Sequence, residues 1–202
     1  MDSGIKTLLI GERFAVFPFF EGRPREFEPG RLHIFIGPGK AFGSGEHETT
    51  ASVLQEMEKM AGWGEARVLD IGCGTGVLSI AAARLGARDI TAVDTEEDAV
   101  EACRRNIALN GVEGMVAVKQ GDIGSVRRER YDIILANLYG DLLVEIAEDT
   151  ALLLKPQARL ILSGISYEYA YEVKKAFTGL GLAVTRSRAL ENYCTFVLKK
   201  ER

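Results

Sequence analysis

From residue 66 onward the chain alternates short, unbroken apolar runs with longer stretches in which apolar residues return every third or fourth position. The runs ARVLDI (66–71), DITAVD (89–94), MVAVKQ (115–120), YDIILAN (131–137) and ARLILSGI (158–165) predict strands buried on both faces, since a half-exposed strand would alternate apolar with polar. Between them, VLSIAAARLG (77–86), a segment ending near Asn110, LLVEIAEDTALLLK (142–155) and about 167–180 carry the helical period. Such an alternation predicts parallel βαβ units with helices on both faces of one sheet. Two closing runs, GLAVTRSRAL (181–190) and YCTFVLKK (193–200), are joined only by Glu191-Asn192, a connection that suits antiparallel neighbours. The expectation is an α/β, Rossmann-like, doubly wound sheet of seven strands with its last strand antiparallel.

The front of the chain has a different texture. RFAVFPFFEGRPREFEPGRLHIFIGPG (13–39) alternates β-rich runs with Pro and Gly and predicts strands joined by turns; a helix follows from Thr49 to about Ala61. This suggests an N-terminal β-rich extension with a loop over residues 1–48 and an α/β domain over 49–202, packed as one unit.

Composition narrows the function classes. The chain has 202 residues, enough for one domain with a full core, and 47% hydrophobic with 27% charged residues rules out wholesale disorder. A net charge of -4 gives no strong nucleic-acid signature. Cys73, Cys103 and Cys194 form no C-x-x-C pair, so neither a disulfide framework nor a zinc knuckle is indicated. Leu8-Leu9-Ile10 is too short for a secretory signal, and no run approaches a membrane span, so a soluble cytoplasmic protein is expected.

Candidate chemistry gathers at the predicted strand ends, where doubly wound sheets bind ligands. The first βα turn is DIGCGTG (70–76). Gly72, Gly74 and Gly76 allow a ligand close to the backbone at a helix N-terminus. A dinucleotide fingerprint would need a third glycine where Val77 stands; the G-x-G-x-G spacing after an acid is instead that of S-adenosylmethionine-dependent methyltransferases. Asp94, ending the second strand, suits the two hydroxyls of a ribose, or a helix cap. Asp122 suits an adenine amino group, or a local Gly-Asp turn. Asn137, ending the fourth strand in ANLYG, offers a neutral donor and acceptor for orienting an amine, or a strand-end turn.

The loop GKAFGSGEHETT (39–50) is the remaining candidate. His47-Glu48 begins like a zinc-protease motif, but position 51 is Ala and His33 is isolated, so no metal is expected. Thr49 and Thr50 suit a helix cap or an anion site, and the glycines around Phe42 suit a lid over the methionyl end of a cofactor.

PGKAFGSGEHETT, VLDIGCGTGVLSIAAARLGA and ILANLYGDLL together resemble the bacterial ribosomal protein L-eleven methyltransferase (PrmA) family, from about IGERFAVFPF to the end of the chain. The resemblance implies the class I methyltransferase fold and methyl transfer from S-adenosylmethionine to a lysine or α-amine, with a ribosomal protein as partner. It places cofactor binding at Thr50, Gly72, Asp94 and Asn137; Asn137 is also the catalytic candidate, and Gly74, Asp122 and Phe42 complete the expected cofactor site. The chain departs from the family at Gly37, where Asp is usual, and at Tyr193, where Trp is usual. The usual N-terminal recognition domain is also expected to be missing. A small-molecule or RNA methyltransferase on the same core, or a cofactor-binding subunit of low activity, are the alternatives.

Overall fold

The computed structural model describes residues 7–18, 28–126 and 129–201. The stretch 19–27, within the front region expected to hold strands and turns, lies outside the described residues. A three-stranded sheet opens the chain: β1 (Leu8–Ile10) pairs antiparallel with β2 (Phe14–Phe17), which pairs parallel with β3 (Leu32–Phe35). Helix α1 (Glu48–Met57) then leads into the main sheet. Its strands are β4 (Arg67–Ile71), β5 (Asp89–Asp94), β6 (Val116–Gln120), β7 (Tyr131–Asn137), β8 (Leu154–Ser166), β9 (Leu182–Ala189) and β10 (Tyr193–Lys200).

The seven strands lie in the order β6-β5-β4-β7-β8-β10-β9, with β10 antiparallel to both neighbours. The order reverses between β4 and β7, which creates a crevice beyond their C-terminal ends. Side chains alternate across the sheet with period two, so each apolar run feeds two cores. Val68, Ile133, Leu135 and Ile161 face one core with α1, α2 (Val77–Arg84) and the front sheet; Leu69, Ile134, Leu160 and Leu162 face the other. Helices α4 (Gly140–Glu145), α5 (Ala147–Leu153) and α6 (Ala170–Gly179) supply Leu143, Ala147, Ala151, Val173 and Phe177 to that second core. Helix α3 (Glu97–Leu109) covers the first, through Cys103 and Ile107.

Three boundaries differ from the sequence expectation. The helix expected over 142–155 is two helices broken at Ile146, whose ψ of 6° departs from helical geometry. Leu143, Ala147 and Ala151 continue one apolar stripe across the break, so the periodicity cannot register it. Strand β8 begins at Leu154 rather than residue 158: Leu154 pairs with Tyr131, and the register then slips to Ile133 against Arg159. Gln157, at φ 64°, absorbs the extra residues, while Lys155 bonds Asp132 at 2.7 Å across the irregularity. Helix α1 starts at Glu48 and ends at Met57, capped by His47 rather than by a threonine.

Candidate active site

The glycine turn leaves β4 with Gly72 at φ 68°, Gly74 at φ 53° and Gly76 at φ 81°, a left-handed path that residues bearing a Cβ adopt at a cost. Neighbouring strands brace it. The Gly72 and Cys73 N–H groups donate to the Val93 carbonyl at 2.9 and 3.0 Å, and the Gly74 N–H donates to Asp94 Oδ2 at 2.9 Å. Asp70 Oδ2 accepts from the Ser79 N–H at 3.1 Å and from its hydroxyl at 2.6 Å, tying the strand to α2. Full burial pushes the Asp70 carboxyl up to about 6 against those two bonds, and the charge of Asp94 adds to the rise.

Asp94 ends β5 half-buried, and its second oxygen accepts from the Glu96 N–H at 3.1 Å. It therefore braces both the glycine turn and the start of α3, with lone pairs on both oxygens left for a ligand. Asp122 accepts from the Gly124 N–H at 2.8 Å, the local turn that a Gly-Asp pair favours, and still lines the cavity.

The loop before α1 lies on the glycine turn. The Phe42 carbonyl accepts from the Thr75 N–H at 2.9 Å, and the Thr75 hydroxyl donates to the Gly43 carbonyl at 2.6 Å. The exposed Phe42 ring meets the His47 ring edge-on at 5.3 Å, and His47 meets Tyr193 in the same way at 5.3 Å. His47 Nδ1 accepts from the Thr49 N–H at 3.4 Å, and it lies 2.8 Å from the Thr49 hydroxyl. That ring caps a helix; among the described residues no His, Cys, Asp or Glu group could hold a metal.

Asn137 ends β7. Its Nδ2 donates to Thr50 Oγ1 at 3.2 Å, while its Oδ1 is buried with no partner among the described residues. A buried acceptor left unpaired costs about 1–3 kcal/mol, so the position favours a ligand that brings a donor.

These parts line one cavity of about 500 Å³ at the topological switch point. Of the expected site residues, Phe42, Gly72, Gly74, Asp94, Asp122 and Asn137 all line it. Thr50 is not among the lining residues: it stands behind Asn137, and the equally buried Thr49 borders the cavity instead. His47, Tyr139 and Tyr193 also line it, although sequence reasoning gave them no place there. The spacing that puts residue 47 at the helix N-terminus, two residues before Thr49, was the available signal. Among the described residues, Asp94, Glu96, Asp98 and Asp122 line the cavity against the single cation Lys40, a balance that favours a positively charged ligand. The neighbouring Cys103 thiol and burial push the Cys73 thiol far up, which disfavours a nucleophilic thiolate there.

Comparison with known proteins agrees with this geometry. The family model described as ribosomal protein L11 methyltransferase (PrmA) matches residues 3–201. Proteins named ribosomal protein L11 methyltransferase from Anoxybacillus flavithermus and Geobacillus kaustophilus are 35% and 36% identical over 195 and 194 residues. Each alignment covers 95% of this chain and 61% of the relative's length. A crystal structure of a ribosomal protein L11 methylase from Lactobacillus delbrueckii subsp. bulgaricus superposes with a TM-score of 0.87 at 24% identity, covering 97% of this chain and 99% of that one. A putative RNA methyltransferase from Pyrococcus horikoshii shares the fold at a TM-score of 0.65 and 19% identity, over 77% of this chain and 87% of its own. With the match running almost end to end and the relatives above 30% identity, the chain belongs to the ribosomal protein L11 methyltransferase (PrmA) family.

Proposed function

We propose that this chain transfers methyl groups from S-adenosylmethionine to amines of a ribosomal protein, in keeping with the names its relatives carry. The observation that carries the reading is the meeting of Gly72, Gly74, Asp94 and Asn137, from the ends of three adjacent strands, on one acid-lined cavity. When bound, the cofactor supplies an electrophilic methyl group on a positively charged sulfur, and the four carboxylates on the cavity wall favour that charge.

The chain's own residues then have separate tasks. Asp94 accepts hydrogen bonds from the ribose hydroxyls with the lone pairs its backbone partners leave free, and Asp122 stands by the adenine. Gly72 and Gly74 allow close approach, and Phe42 shields the methionyl end from water. Thr50 acts through Asn137, fixing the orientation of its amide. Asn137 Oδ1 accepts an N–H of the incoming amine. A neutral amide suits this task, because a carboxylate there would stabilise the unreactive ammonium form. The acceptor gives its proton to solvent before it attacks, the sulfonium charge and partial burial favouring the neutral amine, and alignment and exclusion of water supply the acceleration. Residues 1–48 serve as the extension and cofactor-side loop of this unit, and 49–202 as the transferase domain.

The test uses the purified chain with methyl-labelled S-adenosylmethionine and, in separate reactions, ribosomal protein L11, lysine peptides and transfer RNA. Label should enter protein amines, and Asn137→Ala should lower turnover more than cofactor affinity. Label confined to RNA, or wild-type turnover in the Asn137 variant, refutes the proposal.

A further inference from the structure

Four consecutive residues at the start of α1 each hold a different part of the sheet. The His47 ring packs against Tyr193 at 5.3 Å, and the Thr49 carbonyl accepts from the Ser163 hydroxyl of β8 at 3.4 Å. Thr50 Oγ1 accepts from Asn137 of β7 at 3.2 Å. Glu48 reaches furthest: its carboxylate accepts the N–H groups of Glu191 at 2.8 Å and Asn192 at 3.0 Å, in the turn between β9 and β10.

That turn closes the β9–β10 hairpin, whose pairing begins at Ala189 and Cys194. It contains neither Gly nor Pro, and the Leu190 N–H donates to the Tyr193 carbonyl at 2.8 Å. It is pinned from outside, by Glu48 on one side and by the Tyr167 hydroxyl, which donates to the Leu190 carbonyl, on the other. The next residue is Tyr193, whose side chain walls the cavity beside His47. Glu48 itself is not a lining residue. One carboxylate accepting two successive N–H groups sets both the position and the tilt of the turn, and such charge-assisted bonds are stronger than neutral ones.

We propose that Glu48 is a positioning residue for the acceptor side of the site: it holds the β9–β10 turn so that Tyr193 stands against His47 and forms the wall along which the incoming amine is aligned. The inference rests on the methyl-transfer reading above. The turn and ribose parts of the cofactor site stand apart from this wall, because Gly72, Gly74 and Asp94 sit at the ends of β4 and β5, away from the β9–β10 turn.

The experiment compares wild type, Glu48→Gln, Tyr193→Ala and the double variant. Glu48→Gln preserves side-chain size and one acceptor oxygen, but one turn N–H loses its partner. Amide exchange at Glu191 and Asn192 should quicken in it. Acceptor kcat/KM should fall by about tenfold, the scale of a small misalignment at a reacting centre, while cofactor Kd stays within about twofold. In the Tyr193→Ala background the same substitution should cost little more, since both act on one wall. A full additional loss in that background overturns the proposal; so does an equal loss of cofactor affinity, or unchanged kinetics with a loosened turn. A wild-type chain that methylates no amine refutes the methyl-transfer reading instead. Unchanged exchange at the turn in Glu48→Gln then overturns the clamp on its own account.

Discussion

Replacing Asp94 with Asn separates its two tasks. In the free protein each carboxylate oxygen accepts one backbone N–H, from Gly74 at 2.9 Å and from Glu96 at 3.1 Å. Asn keeps one acceptor oxygen and turns an NH2 toward the N–H that has lost its partner. Hydrogen bonds to charged groups contribute about 1.5–3 kcal/mol each. Because Asp94 is half-exposed and water compensates in part, the free protein should lose about 1 kcal/mol of stability. Cofactor binding has more at stake, since both ribose hydroxyls would donate to the same carboxylate. A loss of about 1.5–3 kcal/mol corresponds to a rise of about 10- to 150-fold in Kd. Urea unfolding of the ligand-free variant reads the first quantity, and calorimetry with S-adenosylhomocysteine reads the second. A Kd within about twofold of wild type, alongside reduced stability, would show that Asp94 only braces the glycine turn and the approach to α3, and the ribose assignment would be wrong.

Gly74→Ala should weaken cofactor binding more than Asp94→Asn, because a Cβ at φ 53° collides with the Phe42 carbonyl oxygen and pushes the front loop off the turn; undiminished affinity by calorimetry would contradict this. For Asp70, the folded carboxyl titrates at about 6 against an ordinary 3.8, so the folded state binds the extra proton and wild-type stability declines as pH rises from about 4 to 7. Asp70→Asn should remove that slope, up to about 3 kcal/mol across the window, and parallel pH profiles of the two proteins in urea unfolding would refute it. Thr195 Oγ1 lies 2.8 Å from both the Ser52 and the Ser163 hydroxyls, in a buried chain that ends on the Thr49 carbonyl. Thr195→Val leaves Ser52 without that partner and should cost about 1–3 kcal/mol; a change below about 0.5 kcal/mol in the unfolding free energy would show that the chain is dispensable.

The sheet was legible because both of its faces are covered: strands such as YDIILAN and the helices between them carry periods that depend on burial alone. The place of the glycine turn, Asp94 and Asn137 on the cavity was legible for a related reason, since a doubly wound sheet opens its crevice beyond the strand ends whatever the side chains there. Local period was blind wherever a distant partner decided the outcome. The break at Ile146 leaves the apolar stripe intact, and the early start of β8 depends on Leu154 finding Tyr131 rather than on Pro156 ending a helix. The same holds within the site. Thr49 and Thr50 are chemically alike and adjacent, yet the rotation of α1 sends one to the border of the cavity and the other behind Asn137. Glu48 reads in sequence as an ordinary acid at a helix start, and only the return of the chain 143 residues later gives its carboxylate a turn to hold. Sequence determined which elements form and which strand ends come to line the cavity. Side-chain direction and long-range pairing, which exist only once the sheet has closed, decided what each residue of the site touches.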